Sequence, residues 1–199
     1  MRICFFGDSF VNGTGDDACL GWVGRVCAAA RAAGHDLTAY NLGVRRDTSA
    51  DIAGRWQDEA RRRLPAGQDG RLVFSFGAND CAAGADGGPR LAAAPALANA
   101  ERILAAARAG WPVLMVGPPP VGDGAADRRI AALSDAQAEL CGRLGLPFLE
   151  VFTPLAATAA WREEAAAGDG AHPNGGGYGA LAGLVAGWAA WQAWFPLSD

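Results

Sequence analysis

Five short apolar runs alternate along this chain with five longer alanine-rich stretches, and that alternation limits the fold more than any other feature. The runs are ICFF (3–6), DLTAYNL (36–42), RLVFSF (71–76), PVLMV (112–116) and PFLEVF (147–152). Helical patterns fill roughly 20–33, 50–64, 90–109, 126–145 and 175–195. Strands separated by helices pair in parallel, because each helix serves as the crossover back to the same edge. Continuous runs such as ICFF and VLMV suit strands covered on both faces, so helices are expected on each side of the sheet. Residues 1–199 therefore read as a single doubly wound α/β domain with a central parallel sheet of about five strands. Thr48, Ser49 and Asp51 supply cap oxygens where a helix is expected to start, and Gly34 and Gly110 stand where helices should stop.

Composition narrows the class. The chain is 51% hydrophobic and 19% charged with a formal charge of −4, enough apolar mass for one core and no basic face for nucleic acid. The Arg61-Arg62-Arg63 run ends a helical pattern, where cations suit the helix dipole. Five cysteines (Cys4, Cys19, Cys27, Cys81, Cys141) form no CxxC pair, which points to free thiols in a reducing compartment and away from zinc. The first apolar run begins at Ile3, too early for a secretory signal, so a cytoplasmic location is expected. The stretch 178–195 is apolar for nearly a membrane-spanning length, but Pro196 and Asp199 follow it with no Lys or Arg anchor. Trp188, Trp191 and Trp194 recur at about helical spacing, so a helix packed on the sheet is expected, with no integral membrane segment. Its aromatic face is also where a homo-oligomer contact would form.

The chemistry should sit outside the carboxyl ends of the strands, where open parallel sheets bind ligands. Gly7-Asp8-Ser9 follows the first strand, Gly43-Val44-Arg45-Arg46-Asp47 the second, Gly77-Ala78-Asn79-Asp80 the third, and Asp169 and His172 come beyond the fifth. A serine hydroxyl needs a neighbouring base to become a nucleophile, and His172 can take that proton and later return it to the leaving group. Asp169, three residues earlier, can hold the imidazole. The main-chain N–H groups of Ser9 and Gly43 and the side-chain amide of Asn79 could receive the oxyanion of an acyl-transfer intermediate. Those parts suffice for acyl transfer through Ser9. The other histidine, His35, lies at a helix-to-strand turn and reads as an exposed loop residue. Asp80 reads as structural support, and the glycine-rich GDGAHPNGGGYG lacks the Lys-Ser/Thr pair of a phosphate cradle.

In this order and at these distances, GDSF, NLGV, GAND and DGAH resemble the four blocks of the SGNH hydrolase superfamily, the GDSL lipases and esterases. The resemblance spans residues 5 to 174 and maps the family's Ser, Gly, Asn and His onto Ser9, Gly43, Asn79 and His172, with Asp169 as the acid of the last block. It implies a flavodoxin-like three-layer α/β/α fold and hydrolysis of small-molecule esters without a cofactor. Two departures stand out. Phe10 replaces a common leucine, and Arg46 stands where related sequences often have glycine. Arg45 and Arg46 are candidates for contact with an anionic substrate, against the plainer reading of solvated loop charges. The chain has no long insertion to form a lid, so an open site for short acyl groups, such as acetyl esters of small alcohols or carbohydrates, is expected. The alternatives are a lysophospholipase or thioesterase acting on longer acyl chains, and a catalytically silent binding protein of the same fold.

Overall fold

The computed structural model describes residues 1–85 and 87–195. Five parallel strands, β1 (Arg2–Gly7), β2 (Thr38–Gly43), β3 (Gly70–Ser75), β4 (Val113–Val116) and β5 (Phe148–Leu149), stand in the order β2-β1-β3-β4-β5. In chain order the helices are α1 (Ser9–Asn12), α2 (Gly21–Ala32), α3 (Ser49–Arg63), α4 (Ala78–Cys81), α5 (Ala93–Arg108), α6 (Gly124–Leu144), α7 (Phe152–Ala157), α8 (Ala159–Ala167), α9 (Gly175–Gly187) and α10 (Ala189–Gln192). This is the expected flavodoxin-like order, in which the chain reverses direction across the sheet between β1 and β3.

Strand periodicity builds two cores. Ile3 and Phe5, with Val73, Leu114 and Val116, face a cluster that includes Trp22 and Val26 of α2 and Leu181 and Val185 of α9. The intervening Cys4 and Phe6, with Leu72, Phe74 and Met115, face Ile52 and Trp56 of α3 and Ile103 and Leu104 of α5. Both faces are thus covered, which is why these strands carry unbroken apolar runs. Gly7 is in register with Gly43 on one side and Ser75 on the other, so β1, β2 and β3 end at one level. Arg55 of α3 ties those ends together, donating through Nη2 to the carbonyls of Gly7 and Leu42 and through Nε to Asp47.

The structure differs from the sequence reading in three places. Residues 153–168, to which the sequence pattern assigns no element, fold into most of α7 and all of α8; Trp161, fully buried, anchors α8 through a hydrogen bond from its Nε1 to the Pro120 carbonyl. The long apolar C-terminal helix breaks at Trp188, whose backbone is extended, and no helix among the described residues is long and apolar enough to cross a membrane. Pro196 and Asp199 lie outside the described residues. As expected of a helix packed on the sheet, Trp191 and Trp194 turn inward, Trp191 6.1 Å from the Phe5 ring and Trp194 under the Arg71 guanidinium, while Trp188 stays half-buried. His35 is half-buried rather than exposed, its ring 5.1 Å from Phe195. All five thiols are free, and only Cys19 is exposed.

Candidate active site

Ser9 is the first residue of α1 and is presented by the end of β1. Asp8 caps that turn, its Oδ1 accepting from the Phe10 N–H at 3.0 Å, while Gly7 lets the strand pass close to the Ser75 carbonyl. A Cβ on Gly7 would fall 2.1 Å from that oxygen, so only glycine fits there. Ser9 is almost completely buried, and its Oγ lies 2.7 Å from His172 Nε2. His172 Nδ1 lies 2.7 Å from Asp169 Oδ2. A carboxylate can only accept, so Asp169 keeps the ring proton on Nδ1 and leaves Nε2 to receive a hydrogen bond from the serine hydroxyl. The two distant stretches of sequence therefore meet.

Several contacts hold the histidine segment against the serine loop. The Phe10 ring packs 4.8 Å from the imidazole and is stacked in turn on Trp161, so the aromatic residue in place of leucine supports the histidine. Asn174 accepts from the Asp17 N–H and donates to the Asp17 carboxylate. Gly15, at φ +91°, lies where a Cβ would meet the Pro173 carbonyl at 2.9 Å and His172 Cβ at 3.0 Å. Tyr178 of α9 donates to the Thr14 carbonyl. No sequence motif announces these clamps; a positive-φ glycine inside NGTGD is their one faint signal.

The two aspartates beside this chain of hydrogen bonds titrate in opposite directions. Burial works against ionised Asp169, but donation from the His172 main chain and side chain and from the Ala171 N–H outweighs it and brings the carboxyl down to about 2. Burial pushes Asp8 up to about 7, with the charges of Asp80 and Asp47 adding to the rise against one N–H from Phe10. Asp8 Oδ2 is buried without a hydrogen-bond partner. Burial likewise pushes the Cys81 thiol to about 12, which removes it as a nucleophile at neutral pH.

The remaining predicted residues divide. Asn79, in α4, lines the cavity in front of Ser9 and donates one amide hydrogen to the Asp47 carbonyl at 3.0 Å, leaving the second for a ligand. Asp80 accepts from the Ser49 N–H, pinning α4 to the start of α3 as structural support. Gly43 does not join this group. Its N–H donates to Asn41 Oδ1 at 3.0 Å, and the residue lies against Asn12 and the Asp8 carbonyl, where a Cβ would come within 2.2 Å of the Asn12 nitrogen. Its glycine is there for close packing of two loops. Three residues on, Arg46 lines the cavity with φ +74°, and its N–H has no partner among the described residues. That left-handed conformation costs a non-glycine residue roughly 1–2 kcal/mol. Arg45 lies 3.2 Å from Asp169 Oδ2, the oxygen that also accepts from His172. Arg90, which the sequence does not flag, lines the same cavity and donates through Nη1 to the Arg46 carbonyl at 2.8 Å. The cavity is open to solvent, with a volume of about 590 Å³. Among the described residues no group of three or more His, Cys, Asp or Glu is placed to hold a metal ion.

Residues 5–180 match the GDSL-like lipase/acylhydrolase family. The chain belongs to that family. It is an ester-hydrolysing enzyme of the SGNH type, and solved structures agree on the fold. A lipase/acylhydrolase from Enterococcus faecalis superposes with a TM-score of 0.73 at 25% identity, covering 93% of each chain. An acetylxylan esterase from Geobacillus stearothermophilus superposes at 0.77 with 16% identity over 95% of each chain, and TesA at 0.76 with 23% identity over 100% of each. No curated protein matches this acylhydrolase by sequence.

Proposed function

We propose that this acylhydrolase cleaves carboxylic esters of short acyl chains through an acyl-enzyme on Ser9. The observation that carries the reading is the unbroken Ser9–His172–Asp169 hydrogen-bond chain, at 2.7 Å for each link, opening onto the cavity. In the forward step Ser9 Oγ attacks the ester carbonyl as His172 Nε2 takes its proton, and Asp169 holds the imidazolium that results. The carbonyl oxygen becomes an oxyanion. We assign its donors as the Ser9 N–H, the free amide hydrogen of Asn79 and the Arg46 N–H, with Arg46 in the place first given to Gly43. Collapse expels the alcohol, which leaves with the proton from His172. Water deprotonated by His172 then releases the acid and restores Ser9.

Short acyl groups suit a cavity whose walls near Ser9 include Ala78, Ala82, Ala83 and Ala126 and which stands open to solvent. Acetyl esters of small alcohols or carbohydrates fall in this class. One observation favours the longer-chain alternative, a lysophospholipase or thioesterase. An apolar cleft of about 270 Å³ is lined by Pro89, Leu91, Leu97 and Leu133, and its Cys81 and Pro89 are chain neighbours of the cavity-lining Ala82 and Arg90. 4-Nitrophenyl esters from two to twelve carbons decide between them. The short-chain reading expects kcat/KM to peak at two to four carbons, and a rate rising to eight or more would transfer the assignment to the longer chains. A fluorophosphonate probe should label Ser9 and spare Ser9→Ala. Absence of labelling, with no ester turned over, would leave a silent binding protein.

A further inference from the structure

The cavity carries more positive charge than the chemistry at Ser9 requires. Two aspartates and three arginines line it in a protein whose formal charge is −4. Both carboxylates are engaged: Asp169 with His172 and Arg45, and Asp123 in capping α6 through the Ala125 and Ala126 N–H groups. Arg45 is thereby committed to Asp169. Arg46 and Arg90 remain, and neither makes an ion pair with any described carboxylate. Arg90 is fixed through its Nη1 to the Arg46 carbonyl, which brings the two residues to one rim of the cavity.

The backbone supplies a second, independent observation. Among the described residues only Cys19 and Arg46 are non-glycine residues at positive φ, and of these Arg46 alone lines the cavity. Glycine would adopt φ +74° without strain and would present the same main-chain N–H. What arginine adds at that point is a guanidinium on the cavity wall, and local strain retained at a site is a pointer to use.

We propose that Arg46 and Arg90 form an anion subsite, so that the preferred substrates are esters bearing a carboxylate or phosphate group beside the scissile bond. The inference rests on the esterase reading and narrows its substrate class. Guanidinium forks match carboxylate and phosphate oxygens alike, so the shared feature is an anionic oxygen. Arg45 has a different part: it shares the Asp169 carboxylate with His172.

The test measures kcat/KM for charged and neutral esters of matched size. 4-Nitrophenyl hemisuccinate is compared with 4-nitrophenyl butyrate, and 4-acetoxybenzoate and 4-acetoxyphenyl phosphate are compared with 4-methoxyphenyl acetate. Wild type should favour the charged member by about tenfold at low salt, with the preference shrinking as ionic strength screens exposed charges. Arg46→Gly, which relieves the backbone, and Arg90→Gln should each reduce the charged-to-neutral ratio about three- to tenfold, whatever they do to absolute rates. Arg143→Ala, at the far end of α6, should leave the ratio unchanged. Preference for the phosphate alone would support a phosphate-bearing substrate, and preference for all three anions would support the shared chemistry. Equal rates on charged and neutral esters, or a ratio unmoved in both variants, would overturn the proposal while leaving the esterase standing. No turnover of any ester, with Ser9 unlabelled by fluorophosphonate, would remove the esterase reading and this one with it.

Discussion

The two halves of the site are built in opposite ways. Ser9 is buried at the end of a central strand, where Gly7 and the Asp8 cap leave its turn almost no freedom. His172 and Asp169 stand on a loop between α8 and α9, and the Asp169 side chain is 42% exposed. The nucleophile is positioned by the sheet, whereas the base and its partner are positioned by side-chain clamps reaching across from the serine loop. Sites on rigid elements hold their geometry more closely than sites on loops. The serine half should therefore yield only to loss of the serine or to changes in the turn that carries it, such as a Cβ on Gly7. The histidine half should also be sensitive to changes that never touch substrate.

The largest effects test whether the halves act as one unit. Ser9→Ala and His172→Ala should each lower kcat by about 10⁴-fold or more, and the double variant should lose little beyond either alone, because members of such a chain are strongly non-additive. Losses that multiply in the double variant would mean that the 2.7 Å contact is not used in the reaction. Asp169→Asn comes next, at about 10²–10⁴-fold, since the amide can donate where His172 Nδ1–H needs an acceptor. Single-turnover release of 4-nitrophenol measures each loss. A nearly unaffected Asp169→Asn would show that loop clamps alone orient the imidazole.

How much of this could be read from the sequence divides along the same line. A parallel sheet with helices on both faces follows from the alternation of elements, its strand order from the family resemblance, and the placement of Ser9 and Asn79 from their positions just after strand ends, whereas His172 reaches the same rim from beyond α8. Such local signals carry through because strand ends converge by topology. What was illegible depends on contacts between distant loops. Gly43 looked like an oxyanion donor because it follows β2, but only the fold reveals that Asn41 takes its N–H and that Asn12 presses against its Cα. Arg90 opens a helical pattern and the Asn174–Asp17 pair joins segments 157 residues apart, so nothing along the chain announces that they line or brace the site. The C-terminal helix misled by its uniform hydrophobicity, which hid the break at Trp188 that folds the tryptophans onto the sheet.

Intermediate effects test the clamps. In Asn174→Leu both bonds to Asp17 are lost, and Gly15→Ala forces a Cβ toward His172 while placing alanine at φ +91°. Each should lower kcat about ten- to a hundredfold, on the scale of a misplacement near 1 Å, with KM for a small acetate ester moving little. Circular dichroism separates this from unfolding. A kcat unchanged in folded Asn174→Leu would show that the loop holds its histidine without that clamp.

The smallest effect sharpens the comparison through stability. Asp169, drawn down from 3.8 to about 2, contributes stability above pH 4 that is lost as pH falls through about 2. Asp8, raised from 3.8 to about 7, works the other way: its contribution is full below pH 4 and is lost as pH rises through about 7. The exposed half of the site thus weakens in acid, and the buried half weakens toward neutrality. Over pH 4.5 to 6.5 Asp169 is ionised in both folded and unfolded chains and drops out, so the slope there reports Asp8 together with Asp80, which burial also raises. One such group gives at most about 1.4 kcal/mol per pH unit. Urea unfolding at pH 4.5, 5.5 and 6.5 should therefore show a decline in wild type that Asp8→Asn flattens without abolishing, since Asp80 remains. An equal slope in the two proteins would mean that Asp8 is ionised in the fold despite its burial and its unpartnered Oδ2, and the contrast between the halves would then rest on geometry alone.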